Sequence, residues 1–260
     1  MRRTLFFLLA SLLFCISSCN NEKQQSAGEV TKEDSTKKIS NVEIKEHATK
    51  DTSPVIGIDV SHFQGNIDWI KIKQSGVQFC YAKASQGNYF KDLKFQENKH
   101  NTEKADLVHG AYHFYMTNED PKKQAMLFLS CLDKEITNQM LPMLDLEGGS
   151  IKGEIDIEAI QKNVMIWLTT VEEALGVKPI IYTNNPFANT YLKNPEFANY
   201  KLWLAEYGVE KPRTPHTWRN QGWVIWQRSP NGFVDGSKGD IDHDILAESQ
   251  SLEELIFSKK

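Results

Sequence analysis

The stretch LPMLDLEGG, residues 141–149, ends an apolar run with two carboxylates two positions apart, directly before a pair of glycines. Side chains at positions i and i+2 of a strand point to the same side, so Asp145 and Glu147 are expected to project together. Acidic side chains are costly to bury, and packing alone gives no reason to place them here. The stretch therefore predicts a core strand whose last residues do chemistry at the edge of a sheet.

Outward from this strand, short apolar runs alternate with amphipathic segments from Pro54 onward, which predicts strands and helices repeated along a parallel sheet. Eight strands are predicted, at residues 55–60, 77–84, 107–115, 140–147, 178–183, 200–207, 223–227 and 240–246. Helices are predicted at residues 67–74, about 92–105, 119–136 and 156–175.

The helical pattern weakens after the fifth strand, and residues 208–222 contain Pro212 and Pro215 without a lasting helical period. A segment of about 205 residues lies near the lower size limit of an eight-stranded α/β barrel. We therefore predict an α/β fold, an irregular TIM-like barrel with eight strands and reduced helices in its C-terminal part. An open doubly wound sheet is the alternative, but the sequence lacks a glycine-rich phosphate loop after the first strand.

The first 54 residues are predicted to lie outside the barrel. Residues 1–19 combine Arg2 and Arg3 with a 12-residue apolar run and a small-residue ending, as a signal peptide does, and the run is too short to span a bilayer. The ending ISSC resembles a bacterial lipoprotein box, which implies a lipid anchor on Cys19 and an exported, membrane-anchored protein facing the periplasm or the cell exterior. An ordinary signal peptide with a chance cysteine is the alternative.

Composition assigns the rest of the chain. Residues 20–54 are polar and mixed in charge, so they are predicted to be a disordered tether. The catalytic barrel is assigned to residues 55–250, and residues 251–260 to a C-terminal tail. Cys80 and Cys131 lie in separate apolar segments, which favours two buried thiols over one disulfide.

The charge of the chain limits its partners. The formal net charge is −4, and it becomes −6 without the two arginines of the signal peptide. This balance argues against a nucleic-acid partner and favours a neutral or mixed-charge polymer. No cofactor or metal is predicted, and a monomer is the default expectation.

Further acids are predicted to join Asp145 and Glu147. Asp59 ends the first predicted strand and Asp242 lies in the last one. In α/β barrels the C-terminal ends of the strands meet at one mouth, where catalytic groups sit. Crowded carboxylates have their pKa values pushed apart, so that one can donate a proton while its neighbour stays ionised. Glycoside hydrolysis uses such a pair.

Aromatic side chains lie near the same strand ends, and their flat faces suit the C–H faces of sugars. Because side chains alternate along a strand, only about half of them are expected to face inward. The candidates for substrate binding are Tyr112, His113, Phe114, Tyr182, Trp203, Tyr207 and Trp226, together with Gln227.

Six segments make a family resemblance visible: GIDVSHFQGNIDW (57–69), GAYHFY (110–115), PMLDLE (142–147), IIYT (180–183), LWLAEY (202–207) and VIWQ (224–227). In order and spacing they resemble the family 25 glycoside hydrolases, the Chalaropsis-type lysozymes. The resemblance covers nearly all of residues 55–247. It implies an irregular α/β barrel and an N-acetylmuramidase that cuts peptidoglycan glycan strands between N-acetylmuramic acid and N-acetylglucosamine.

The resemblance also implies roles for the acids. Glu147 matches the family's general acid, and Asp145 matches the companion carboxylate of its Asp-x-Glu motif. Asp59 matches the first-strand aspartate and Asp242 the aspartate near the end of the barrel. The chain departs from the family pattern at Gln86, where an acid is common, and at Asp244, where an asparagine is common.

Two other functions remain open on the sequence. One is a metal-dependent polysaccharide deacetylase or phosphodiesterase that uses Asp59, Asp145 and Asp242 with His62 or His113. Its histidine spacing is not that of a typical metal site, and oxygen ligands suit hard cations. The other is a non-catalytic peptidoglycan-binding barrel, against which the intact pair of Asp145 and Glu147 argues.

Overall fold

The computed structural model describes residues 53–260 of the 260-residue chain. The predicted signal peptide, Cys19 and nearly all of the predicted tether lie outside the described residues. No helix in the described part is long and apolar enough to cross a membrane.

Within residues 53–260 the chain forms eleven strands and five α-helices, with short 3-10 turns between them. The strands are β1 (Ile56–Val60), β2 (Val77–Gln86), β3 (Phe90–Lys91), β4 (Val108–Phe114), β5 (Ile136–Met140), β6 (Met143–Leu146), β7 (Ile180–Asn184), β8 (Leu202–Ala205), β9 (Ile225–Gly232), β10 (Ile241–Leu246) and β11 (Ile256–Lys259). The helices are α1 (Trp69–Gln74), α2 (Phe95–Lys104), α3 (Pro121–Leu129), α4 (Ile157–Leu175) and α5 (Asn185–Tyr191).

Eight of the described strands close into a barrel in the order β1-β10-β9-β8-β7-β6-β4-β2, and β2 pairs with β1 to complete the circle. Neighbouring strands are parallel except at β10, which runs antiparallel to both β9 and β1. Helices follow the early strands, whereas α5 has only seven residues and is the last α-helix described. The predicted eight-stranded α/β barrel with reduced C-terminal helices is confirmed.

Capping residues set the ends of the outer helices. Asp120 precedes α3 and accepts a hydrogen bond from the backbone N–H of Lys123, and Pro121 occupies the first helical turn. Asp156 precedes α4 in the same way, and Gly176 ends that helix with a φ of 74°. A left-handed backbone at this position favours glycine, so the sequence fixes where the longest described helix turns back toward β7.

Aromatic rings fill the interior of the barrel. Phe79 and Tyr81 of β2 point inward, and Trp203 of β8 contacts the Tyr81 ring edge-on at 4.8 Å. A Cβ atom on Gly57 would lie 2.1 Å from the Phe79 ring, and one on Gly110 would lie 2.6 Å from the Tyr81 ring. The two glycines are therefore required by these rings, which form a solid floor beneath the strand ends.

A second core lies between the barrel and the helices. It includes Val164, Trp167 and Val171 of α4, which are fully buried. Cys80 and Cys131 are both buried and both free thiols, so the prediction of two separate thiols is confirmed.

The structure differs from the prediction around Pro142. The predicted strand at 140–147 is divided: Met140 ends β5, and β6 begins at Met143. Proline lacks the N–H group that a strand needs to continue its ladder, which explains the division. The predicted helix at 119–136 likewise ends at Leu129, and Ile136 begins β5.

Residues 251–260, predicted as a tail, are ordered against the barrel. Within them β11 pairs antiparallel with β5, and the Leu141 backbone N–H donates to the Leu255 carbonyl at 2.7 Å. Leu255 and Phe257 are buried, with Leu255 among the residues of the barrel interior. The final segment therefore closes the end of the barrel opposite the acids.

Candidate active site

Three strands bring four acids to one end of the barrel. Asp59 lies near the end of β1, Asp145 lies in β6, and Glu147 follows β6 directly. Because β10 runs antiparallel, its first residues reach the edge where the parallel strands end, and Asp242 is the register partner of Asp59. The structure thus assembles the four acids predicted from the sequence.

Burial dominates the electrostatics of these acids. Desolvation raises the pKa of Asp59 and of Asp145 well above the usual value, and nearby carboxylates add to the effect. Desolvation also raises the pKa of Glu147, and it raises that of Asp242 to about 6. These acids therefore stay protonated to higher pH than the same acids in water, and the ionisation of each one depends on the charge of its neighbours.

Lys83 is the cation of the site, and the sequence reasoning did not assign it. It lies on β2, only 7% exposed, and its Nζ donates to Gln86 Oε1 at 2.8 Å. Its positive charge opposes the raised pKa values of Asp145 and Glu147. Lys83 shares one face of β2 with Phe79 and Tyr81, because every second residue of a strand points the same way. The sequence shows this spacing but does not show that this face points into the barrel.

The two glycines after β6 shape the surroundings of Glu147. A Cβ on Gly149 would lie 3.0 Å from the Phe114 ring and 3.2 Å from Glu147 Oε1. The backbone N–H of Glu147 donates to Ser150 Oγ at 3.1 Å, which fixes the turn. Glycine at 149 therefore lets the chain pass close to both groups, whereas a Cβ on Gly148 would meet no neighbouring atom.

Phe114 forms one wall of the site. Lys83 Nζ lies 4.7 Å from the centroid of its ring, a cation–π distance. In the register of β4 and β6, Phe114 is the partner of Asp145. Phe114 therefore lies on the strand beside Asp145, with its ring in contact with the cation of the site.

Gln227 links a second group of predicted residues. Its Nε2 donates to Asp59 Oδ2 at 2.6 Å. Its Oε1 accepts hydrogen bonds from the hydroxyls of Tyr182 at 2.8 Å and Tyr207 at 2.5 Å. This network holds Asp59 from one side, and the 45% exposed Tyr207 ring forms part of the rim.

Two other inward-facing candidates lie deeper. Tyr112 is buried beside the acids, and the charges of Asp59 and Asp145 help raise its pKa. Trp203 is fully buried in the floor, in edge contact with Tyr81 and Tyr182. The structure therefore places Trp203 as support for the site rather than as a surface for a sugar.

Two predicted substrate-binding residues face away from the site. His113 is fully buried on the outer side of β4, where its ring stacks on Trp167 and contacts Ser85 and Gln124. Trp226 alternates with the inward Gln227, and its Nε1 donates to the Glu206 carbonyl. For both residues the sequence prediction was wrong, because strand alternation turns them to the outer face.

The two histidines proposed for a metal site with Asp59, Asp145 and Asp242 have other partners in the structure. His62 Nδ1 lies 2.6 Å from Asp92 Oδ2, and His113 lies on the outer face of the barrel. Among residues 53–260 no group of three His, Cys, Asp or Glu side chains has an arrangement that fits a metal ion. The site is therefore an acid cluster with one lysine and aromatic walls.

A closed α/β barrel with an Asp-x-Glu pair at a strand end defines the class of barrel glycoside hydrolases. The profile of the glycosyl hydrolases family 25 matches residues 58–237. This chain belongs to that family.

Individual proteins show the same relationship. The sequence is 34% identical over 201 residues to lysozyme M1 of Streptomyces globisporus, covering 74% of this chain and 67% of that protein. It is 33% identical over 204 residues to the uncharacterized protein YegX of Escherichia coli strain K12, covering 76% and 71% of the two chains. The structure is similar to the bacterial lysozyme from Streptomyces coelicolor, with a TM-score of 0.71, 30% identity, and coverage of 79% and 96%.

Proposed function

We propose that this protein is a lysozyme that hydrolyses the β-1,4 bond between N-acetylmuramic acid and N-acetylglucosamine in peptidoglycan. The observation that carries the proposal is the placement of Asp145 and Glu147 together at the mouth of the barrel, with both pKa values raised by burial. Similarity to lysozyme M1 of Streptomyces globisporus and to the lysozyme of Streptomyces coelicolor also supports it.

In the proposed reaction Glu147 is the general acid. Burial favours its protonated form, and the proton passes to the glycosidic oxygen as the bond to the anomeric carbon breaks. The leaving sugar then departs as a neutral alcohol. Proton donation of this kind accelerates a reaction by about 10²–10⁴-fold.

Asp145 is the companion carboxylate. Burial and the charge of Glu147 raise the pKa of Asp145, and the positive charge of Lys83 acts against them. Once Glu147 holds the proton, its charge no longer opposes an ionised Asp145. An ionised Asp145 stabilises the positive charge that develops at the anomeric carbon, or steadies the substrate's acetamido group as that group attacks. Asp59, which Gln227 holds by a hydrogen bond of 2.6 Å, accepts hydrogen bonds from the sugar at the base of the site.

The test compares Glu147→Gln with Glu154→Gln, a matched change at an exposed residue of the same loop. On purified peptidoglycan, Glu147→Gln should lose lysis by about 10²–10⁴-fold, and Glu154→Gln should not. On a synthetic saccharide with an acidic phenol as leaving group, which departs without a proton, Glu147→Gln should keep most of the wild-type rate. Wild-type lysis by Glu147→Gln would refute the assignment.

Product analysis separates the remaining functions. New reducing ends are expected from a muramidase, whereas release of acetate without new reducing ends indicates a deacetylase. Binding without clearing indicates a non-catalytic barrel. NMR of the first-formed anomer decides the stereochemistry, and a wholly inverted product would exclude the acetamido route.

We also propose that the protein is anchored to a membrane through a lipid on Cys19. The proposal rests on the sequence ISSC that follows the apolar run. Wild type should fractionate with membranes and incorporate labelled palmitate, and Cys19→Ala should do neither. Equal labelling of the two proteins would refute the anchor.

A further inference from the structure

Asp244 is a fully buried carboxyl group that the proposed reaction does not use. It lies on β10, two residues after Asp242, with a side-chain exposure of 0%. Among the described residues neither of its carboxyl oxygens has a hydrogen-bond partner, and the buried Nε1 of Trp203 is also unpaired. An isolated carboxylate in such a place is very costly, and a neutral carboxylic acid is much less so.

The groups around Asp244 lie on β1, β2 and β9 and on its own strand, β10. Asp59 of β1 and Asp242 of β10 are the nearest acids, and the charge of Asp242 raises its pKa. Tyr81 of β2 points into the barrel with it, whereas Cys80 lies in the outer core, and burial raises the pKa of both groups, so they stay neutral. Its register partners are Gly57 in β1, which has no side chain, and Gln227 in β9.

These surroundings contain no positive charge that would favour an ionised Asp244. Within the described part of the chain, no lysine, arginine or histidine is among the groups that shift its pKa. The Trp203 indole N–H is close enough to lower that pKa, and a proton on Asp59 would lower it too, although neither contact has the geometry of a full hydrogen bond. Desolvation remains the largest effect, and it favours the protonated acid.

The proton belongs on Asp244 rather than on its neighbour Asp59. Asp59 accepts a hydrogen bond of 2.6 Å from Gln227, which stabilises the ionised form. Asp59 is also 8% exposed at the base of the site, whereas Asp244 has no exposed surface. Asp59 can therefore carry the negative charge of the pair, and Asp244 can supply an O–H donor to it.

We propose that Asp244 is a positioning residue that remains protonated at neutral pH, accepts from the Trp203 indole and donates its O–H to the carboxylate of Asp59. Asp59 is then held between two donors, Gln227 on one side and Asp244 on the other. The role of Asp59 in holding the sugar rests on the proposed lysozyme function. The protonation of Asp244 does not depend on that function.

The first test measures protonation directly. Infrared spectra of the wild type at pH 7 should contain the C=O band of a protonated, buried carboxyl group, and Asp244→Asn should lose intensity there equal to one carboxyl. The matched control is Asp240→Asn, at an exposed residue just before β10, which should leave the band unchanged. An unchanged band in Asp244→Asn, or its loss in Asp59→Asn alone, would overturn the proposal.

The second test uses stability. The folded-state pKa of Asp244 is raised, so its contribution to stability is fully present below its unfolded pKa of about 3.9 and is lost as pH rises through the folded value. Asn cannot ionise, so the Tm of Asp244→Asn relative to wild type should increase from pH 4 toward pH 8. A Tm difference that is constant with pH would contradict the proposal.

The third test separates positioning from packing. Asn keeps an acceptor for Trp203 and a donor for Asp59, whereas Leu keeps neither. Asp244→Asn should therefore retain a kcat about tenfold or more above that of Asp244→Leu, as expected for a hydrogen bond to a charged group. Equal kcat values for the two folded variants would overturn the positioning role.

Two outcomes keep the proposals distinct. If Glu147→Gln lysed peptidoglycan normally, the lysozyme assignment would fail while the infrared and Tm results still judged Asp244. If Asp244→Asn did not fold, carboxyl-carbon NMR of wild type would decide, with Asp244 identified by its proximity to the Trp203 indole proton. A carboxylate chemical shift for that aspartate at pH 7 would overturn the inference.

Discussion

Replacement of Lys83 by methionine should move the whole pH–activity profile to higher pH. Methionine keeps an apolar stem beside Phe114 and removes the charge that favours ionised Asp145 and Glu147, together with the hydrogen bond to Gln86. An opposite charge close to a carboxyl group lowers the pKa of that group by about 1–3 units. Loss of the cation should therefore move the profile up by about one pH unit or more.

The sign is the same for both acids. Without the cation, Asp145 ionises only at higher pH, so the acid limb of kcat/KM moves up. Glu147 also keeps its proton to higher pH, so the alkaline limb moves up with it. Initial rates of lysis across pH would measure both limbs, with Lys91→Met, at an exposed residue of β3, as the control. An unchanged or downward-shifted profile would refute the electrostatic role of Lys83.

Gln227→Leu should lower kcat by about 10–100-fold because Asp59 loses a hydrogen bond to a charged group, and a wild-type kcat would contradict this. His113→Phe should leave kcat and KM unchanged. Burial lowers the pKa of His113 to about 3, so its stabilising contribution is present above about pH 6.5 and lost toward pH 3, and the variant's Tm should fall less in acid. Phe257→Ala should lower the free energy of unfolding by about 3–5 kcal/mol while folded enzyme stays active, and an unchanged Tm would argue against the packing of β11.

The positions of the eight barrel strands could be predicted because most of them are local apolar runs of the right length. Asp59, Asp145 and Asp242 could be found for the same reason, since each lies near one end of such a run. Parallel neighbours in a barrel bring the ends of β1 and β6 together, so Asp59 and Asp145 meet without further information. Asp242 reaches the same edge only because β10 runs antiparallel, which the sequence pattern did not predict.

The pairing of β5 with β11 could not be predicted from local pattern. The register partners Ile136 and Lys259 are far apart in the sequence, and each of the two strands is short and partly polar. Only the folded barrel brings the two strands together, at the end opposite the acids. Pro142 was a visible signal that the run at 140–147 would divide, but the partner of its first part was not visible.

The direction of side chains was the other limit. Tyr112, His113 and Phe114 are consecutive, and alternation alone predicts that one face is inward without saying which. The register of β4 with β6 decides it, since Phe114 pairs with Asp145 and His113 pairs with Leu144 of the outer core. Lys83 was missed for the same reason, because its inward direction depends on the pairing of β2 with its neighbours.

Burial of the acids links the pH range of stability to the pH range of activity. The raised pKa values of the acids, about 6 for Asp242, mean that their stabilising contribution is greatest in acid and is lost as pH rises. His109 and His113, with pKa values lowered to about 3 by burial, contribute in the opposite sense and lose stability toward low pH. The two effects favour a stability maximum in mild acid. Desolvation of Asp145 and Glu147 therefore acts on the protonation of the catalytic pair and on the stability of the barrel at the same time.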